Sequence, residues 1–144
     1  MSRYTTIVMA LALLTPLPAA ARDPAIISGH ARVLDGDTVV VGGVVVRLKG
    51  VDAAERGTLR GENARDVMIG IVNGDLTCHL TGERTWKREV GYCITADGVD
   101  INEAIIASGA ALACPRYDAR YMRFETEAAL AVQPRSPYCV RLTR

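Results

Sequence analysis

The chain has 144 residues, of which 49% are hydrophobic and 23% charged, so its length suits a single domain and its composition excludes global disorder. Its formal net charge is only +1, which excludes a protein that holds nucleic acid by a general excess of positive charge. Because aromatic residues make up only 5% of the chain, we expect a core built mainly from Val, Ile, Leu and Ala.

The N-terminal segment has the pattern of a secretory signal peptide. Arg3 supplies a positive start, an apolar run occupies residues 7–14, and Ala19-Ala20-Ala21 offers small residues for cleavage. The run is too short to cross a bilayer, although an uncleaved anchor is the alternative. We expect a secreted or periplasmic protein with no membrane attachment after cleavage. The predicted parts are a signal peptide over residues 1–21, one domain over residues 22–133 and a C-terminal tail over residues 134–144.

The cysteine content agrees with export. The four residues are Cys78, Cys93, Cys114 and Cys139, and an even number in an exported chain favours two disulfides. No pair has the Cys-x-x-Cys spacing of a zinc site. Cys78 and Cys93 lie symmetrically about the connection at residues 82–87, so antiparallel pairing would place them opposite each other. Of the three possible connectivities, we therefore predict Cys78–Cys93 and Cys114–Cys139, the second tying down the tail.

Five strands and three helices are predicted from the spacing of the apolar residues. Gly42-Gly43 between two valine runs indicates a hairpin, because its tight turn needs positive φ. Asp100 caps the second helix, Asn73-Gly74 ends the first and Pro134 stops the third. The strands cover residues 27–34, 38–41, 44–49, 76–80 and 89–95, the helices 61–72, 101–108 and 117–133, and the main connections 52–60 and 81–88. This order predicts a β-rich α+β fold, a five-stranded Greek-key barrel of the OB type with flanking helices.

Two acidic clusters follow predicted strands. They are Asp35-Gly36-Asp37-Thr38 and Asp52-Ala53-Ala54-Glu55. Carboxylates that converge at strand ends repel each other unless a cation lies between them, and such oxygen donors suit Ca²⁺ or Mg²⁺. The alternative is a pair of ordinary turns, since Asp-Gly is a common turn dipeptide.

Two arginines accompany these clusters. Arg47 lies in a valine-rich strand, where a charge is costly to bury without a partner, and Arg88 begins another strand. Two guanidinium groups beside a carboxylate-bound cation would bind the oxygens of a phosphodiester. The alternative is two structural ion pairs, one of Arg47 with an aspartate and one of Arg88 with Glu89.

Three ordered motifs carry a family resemblance. Residues 33–38 (VLDGDT), 46–55 (VRLKGVDAAE) and 88–91 (REVG) resemble the staphylococcal nuclease (thermonuclease) family, and the likeness extends over about residues 27–130. The resemblance implies an OB-fold barrel and a calcium-dependent phosphodiesterase that cleaves DNA and RNA with little sequence preference. We expect a monomer whose partner is its nucleic-acid substrate.

The resemblance also implies roles for individual residues. Calcium would be held by carboxylates and one carbonyl, the phosphate by arginines, and the attacking water would be activated by a glutamate. The implied metal ligands are Asp37, Asp52 and the backbone carbonyl of Ala53, with Asp35 acting through water; the catalytic residues are Arg47, Glu55 and Arg88; the substrate-binding residues are Lys87 and Tyr117.

The chain departs from the family pattern at several places, two of them beside the implied catalytic residues. Ala54 stands where a proline is usual, so the loop that carries Glu55 is less rigid, and Trp86-Lys87-Arg88 replaces the usual Tyr-Gly-Arg. The alternative function is a catalytically weak or inactive OB-fold module that binds nucleic acid or serves the cell envelope. Such binding modules use aromatic platforms and a basic groove, and this chain has few aromatics and no basic excess.

Overall fold

A computed structural model describes residues 24–140, and the predicted signal peptide lies outside this range. Among the described residues, no helix is long and apolar enough to cross a bilayer. The strands are β1 (Ala25–Asp35), β2 (Thr38–Val41), β3 (Val44–Leu48), β4 (Val51–Ala53), β5 (Asp75–Thr85), β6 (Arg88–Thr95) and β7 (Ala111–Ala113). The α-helices are α1 (Leu59–Ile71), α2 (Ile101–Ala107) and α3 (Glu127–Val132), and two 3₁₀ helices cover Ala119–Phe124 and Pro137–Cys139.

Five of the strands close into a barrel in the order β1-β2-β3-β6-β5. All neighbours are antiparallel except β3 and β6, which run parallel with Arg47 opposite Val90. The remaining strands, β4 and β7, pair separately. The predicted β-rich α+β fold of the OB type is confirmed, and so is the hairpin at Gly42-Gly43, where both residues have positive φ.

The core consists of small and medium aliphatic side chains, as the composition predicted. Tyr121 is the one fully buried aromatic residue in the described part of the chain. The largest fully buried aliphatic side chains come from the barrel strands, β4, β7 and the inner faces of α1 and α2: Leu48, Met68, Leu76, Ile101, Ile105, Ile106, Leu112, Val39, Val41, Val46 and Val51.

The connection predicted over residues 81–88 is wrong. Strand β5 continues to Thr85 and β6 begins at Arg88, so only Trp86 and Lys87 form the turn. A shift in register between Leu80 and Arg84 lets the strand continue through polar residues that carry no apolar alternation. The result is a long hairpin with a two-residue turn.

The single helix predicted over residues 117–133 is also wrong. The segment splits into the 3₁₀ helix and α3, separated at Glu125 and Thr126. Local side-chain bonds explain the break: the Asp118 carboxylate accepts from the backbone N–H of Arg120, and Thr126 Oγ1 accepts from that of Ala129. Each caps a new helical start, which competes with continuation of the old one.

Two smaller differences lie near the acidic loop. Val51–Ala53 forms β4, although residues 52–60 were expected to be loop, because it pairs with β7 far away in sequence. Helix α1 begins at Leu59, two residues before the predicted start, because Thr58 Oγ1 accepts from the backbone N–H of Gly61 and caps it. Its C-terminal residue is Ile71, with Val72 rather than Gly74 as the C-cap.

Both predicted disulfides are confirmed. Cys78 and Cys93 lie directly opposite each other on β5 and β6 and are bonded. Cys114, which follows β7, is bonded to Cys139 in the tail. One bridge therefore joins two adjacent strands within the barrel wall, and the other anchors the tail to the small sheet.

Removal of the barrel disulfide should lower stability substantially. The bridge closes a segment with a sequence separation of 15, for which loop closure predicts a loss of about 3 kcal/mol in the free energy of unfolding. The measurement is urea unfolding of the Cys78→Ala/Cys93→Ala variant against the oxidised wild type. Peptide mapping without reduction is the control, and free thiols or a Cys78–Cys114 peptide would contradict the pairing.

Candidate active site

Two adjoining cavities lie at one end of the barrel. The larger has a volume of about 590 Å³ and the smaller about 70 Å³. Arg47, Glu55, Arg88 and Tyr138 line both. These residues come from β3, the β4–α1 loop, the start of β6 and the tail, so the site is assembled by the tertiary fold rather than by one local segment.

Asp37 and Arg47 form a buried ion pair in the wall of this site. The Arg47 Nη2 and Asp37 Oδ2 atoms are 2.9 Å apart, and Thr38 Oγ1 donates to Asp37 Oδ1 at 2.9 Å. Burial raises the pKa of Asp37 to about 7; the Arg47 charge opposes this rise and the nearby Asp35 carboxylate adds to it. A single guanidinium therefore leaves this carboxylate short of compensating positive charge.

Arg88 is linked to the same ion pair through Thr38. Its Nη1 donates to Thr38 Oγ1 at 3.3 Å. The parallel pairing of β3 with β6 accounts for this closeness, because it places the strand of Arg47 beside the strand that Arg88 begins. The ion pair of Arg47 with an aspartate agrees with the structural alternative stated above, whereas Glu89 forms an ion pair with Arg84 at 3.0 Å.

The loop that carries Glu55 packs directly on helix α1. Thr58 Oγ1 donates to the backbone carbonyl of Glu55 at 2.7 Å, and a Cβ on Gly61 would lie only 2.0 Å from that carbonyl oxygen. Within residues 24–140, the exposed Glu55 carboxylate has no ion-pair partner, since Arg56 pairs with Glu62 instead. Gly61 was not identified from the sequence, although a glycine inside a helical pattern is a signal of close packing.

Asp52 is buried beside the site, and its carboxylate is bonded to the tail. The backbone N–H of Ser136 donates to Asp52 Oδ2 at 2.7 Å, and Ser136 Oγ donates to Oδ1 at 2.6 Å. Asp52 does not line either cavity, whereas its neighbour Ala53 lines the smaller one. The sequence separation of 84 between the partners explains why no sequence pattern revealed Ser136.

The tail is fixed to the body at further points. Arg135 forms an ion pair with the buried Glu125 carboxylate at 2.8 Å and also donates to the backbone carbonyl of Ala113. Cys139 is bonded to Cys114. The tail is therefore part of the site wall, and Tyr138 was not identified as a site residue because the sequence suggested only coil there.

Of the two predicted substrate-binding residues, one lines the larger cavity and the other does not. Tyr117 is 53% exposed and lines the larger cavity. Lys87 lies at the tip of the β5–β6 hairpin and is not among the lining residues, while the adjacent Trp86, 92% exposed, is. Trp86 has a φ of 57°, so the turn holds this side chain in a left-handed backbone conformation.

The smaller cavity offers only oxygen donors as metal ligands. Asp35, Asp37, Glu55 and Ala53 line it, and Asp35 Oδ1 accepts from the backbone N–H of Asp37 at 3.1 Å. Within residues 24–140, no three His, Cys, Asp or Glu side chains are grouped closely enough to hold a metal ion by themselves. A hard cation here would therefore need backbone carbonyls and water in addition to carboxylates.

Comparison with known proteins gives a small set of relatives. No family model matches the chain. The succinoglycan biosynthesis protein ExoI of Rhizobium meliloti (strain 1021) is 35% identical over 70% of this chain and 58% of its own length. Proteins named uncharacterized endonuclease from Escherichia coli O157:H7 and Escherichia coli are each 32% identical over 60% of this chain and 60% of theirs. The chain thus spans 58–60% of the length of these curated relatives.

The contact between Gly61 and the Glu55 loop can be tested with a matched pair of variants. Gly61→Ala should lower the free energy of unfolding by about 1–3 kcal/mol, because the added Cβ must push the Glu55 carbonyl away. Gly70→Ala in the same helix meets nothing within 4 Å and should raise it by up to about 1 kcal/mol. Urea unfolding measures both, and equal effects would contradict the proposed contact.

Proposed function

We propose that this chain is an exported, calcium-dependent nuclease that hydrolyses phosphodiester bonds of DNA and RNA. The observation that carries the proposal is the gathering of Arg47, Glu55 and Arg88 around the same two cavities, together with the carboxylates of Asp35 and Asp37. These are two guanidinium groups for a phosphate, a carboxylate for a water, and oxygen donors for a cation. The two relatives named endonuclease support the same reaction class.

The donors at the smaller cavity fit a calcium ion by their chemistry. Asp37 and the backbone carbonyl of Ala53 would bind it directly, and Asp35 would act through water. Asp52 lines neither cavity and both of its oxygens accept from Ser136, so as a ligand it would have to use a remaining acceptor site, of which an ionised carboxylate has about four. When bound, calcium neutralises phosphate charge and stabilises the transition state.

Side chains of the protein would then have separate roles in the reaction. Arg47 and Arg88 would bind the non-bridging oxygens of the phosphate, since planar guanidinium groups match their geometry. Glu55 takes a proton from a water molecule as that water's oxygen bonds to phosphorus, the bond to the leaving oxygen breaks, and solvent water supplies the proton that makes the leaving oxygen a hydroxyl. Because these groups would contact only the sugar-phosphate backbone, little sequence preference is expected.

A second candidate function is supported by one relative. The protein named for succinoglycan biosynthesis matches over more of this chain than the endonuclease-named proteins do. Because that name concerns the making of a polysaccharide and not nucleic acid, the alternative is a module of the same fold that does not cut nucleic acid. The two functions are separated by the same assay, because only the nuclease releases acid-soluble nucleotides from DNA.

Calcium should be required for cleavage. Purified mature protein should degrade single-stranded and duplex DNA in the presence of Ca²⁺, and excess chelator should abolish the activity, because the phosphate charge would then be compensated by the arginines alone. Acid-soluble nucleotide release measures the rate, and readdition of Ca²⁺ is the control for irreversible damage. Full activity in excess chelator would rule out the proposed metal site.

Glu55→Gln should lower the cleavage rate by about 10²- to 10⁴-fold, because the amide keeps the size of the side chain but cannot accept the proton. Binding of Ca²⁺ should change much less, since Asp37 and Ala53 are intact. The matched control is Glu127→Gln, an exposed residue in the first turn of α3 that lines neither cavity. A Glu55→Gln protein that cleaves at the wild-type rate would refute the assignment.

A further inference from the structure

The aromatic residues of the described chain fall into two groups. Tyr92, Tyr121 and Phe124 pack together against the barrel, with both tyrosine hydroxyls bonded to aspartates. The other three, Trp86, Tyr117 and Tyr138, are the exposed ones within residues 24–140, and all of them line the larger cavity. Exposed aromatic rings gathered at one cavity favour a ligand with flat apolar faces.

Tyr138 is the member of this group that neither the sequence motifs nor the proposed reaction uses. It is 42% exposed and lines both the larger cavity and the smaller, carboxylate-rich one. Within residues 24–140, its hydroxyl forms no hydrogen bond and its ring stacks on no other aromatic side chain. Packing of the protein therefore does not explain why the ring faces the site.

The tail holds this ring in a fixed place. Two residues before it, Ser136 is bonded to the buried Asp52 carboxylate, and the next residue, Cys139, is bonded to Cys114. A third anchor is the ion pair of Arg135 with Glu125. Because the backbone on both sides of Tyr138 is fixed, a ligand that stacks on the ring does not have to order the chain that carries it, which favours binding.

We infer that Tyr138 is a substrate-contacting residue that stacks on an unpaired base next to the phosphate held by Arg47 and Arg88. The inference rests on the proposed function. It adds contacts to the bases of the nucleic acid to the proposed contacts with its sugar-phosphate backbone. Every base has a flat face, so stacking adds affinity without sequence preference. The larger cavity, at about 590 Å³, has the size of a small-molecule site and borders both arginines.

The test measures binding without cleavage. Wild-type protein with intact disulfides is titrated, in excess chelator, into a labelled single-stranded oligothymidylate and an abasic oligonucleotide of the same length and charge. Fluorescence anisotropy gives the affinities, and the emission of Trp86, the single tryptophan of the chain, reports occupation of the cavity. Wild type should bind the base-containing strand more tightly and with a larger change in emission.

The variants then assign that preference. Tyr138→Leu should lower affinity for oligothymidylate by about 5- to 150-fold, the usual range for loss of one stacked base, and leave the abasic strand nearly unaffected. Tyr138→Phe keeps the ring and should bind as wild type. Val140→Ala is the control for the tail, since this exposed residue follows Cys139 and lines neither cavity. A thiol count of zero shows that the tail stays anchored, and Tyr138→Gln replaces Tyr138→Leu should that variant not fold.

The outcomes separate this inference from the proposed function. Equal affinity of the wild type for both strands, or an unchanged preference in Tyr138→Leu, overturns the role of Tyr138 while calcium-dependent cleavage still stands. A wild-type protein that neither binds nor cleaves nucleic acid overturns both. A preference for bases that is lost in Tyr138→Leu and kept in Tyr138→Phe and Val140→Ala supports the inference.

Discussion

The parallel pairing of β3 with β6 is the constraint on which the candidate site depends. It closes the barrel, and it sets the strand of Arg47 beside the strand that begins at Arg88. The two guanidinium groups are then joined through Thr38 and the buried Asp37 carboxylate. Asp37 pairs with Arg47 directly and is reached from Arg88 through Thr38, so these contacts orient both arginines in one wall of the site.

The tail forms a second set of contacts, which stabilises a buried negative charge. The buried Asp52 carboxylate requires hydrogen-bond donors, and Ser136 supplies two of them from outside the barrel. The disulfide of Cys139 with Cys114 keeps that donor in place under oxidising conditions. The tail thus satisfies a buried charge and brings Tyr138 to the cavity with the same few contacts. The site geometry therefore depends in part on oxidising conditions, because reduction of this bridge would remove one of the tail's anchors.

Sequence patterns predicted the features that depend on local chemistry. The hairpin at Gly42-Gly43, the cap at Asp100 and the pairing of Cys78 with Cys93 follow from short-range rules, and all are found in the structure. The missed features depend on partners distant in sequence: β4 exists because β7 pairs with it, and Ser136 matters because of Asp52. The last predicted helix is split because the capping side chains of Asp118 and Thr126 outweigh helix propensity. The spacing of apolar residues alone does not reveal such caps.

The nearly neutral charge of the chain bears on how any nucleic acid would be held. With a formal net charge of +1, the protein gains little from long-range attraction and releases few counterions, so affinity must come from groups at the cavity. The arginines there already compensate a carboxylate, since Arg47 is paired with Asp37, and this reduces the charge left for phosphate. Under the proposed function, contacts to the bases would therefore carry a larger share of binding than in a basic protein. All exposed aromatic residues of the described chain line this one cavity. Aromatic rings in that position are suited to stack on bases.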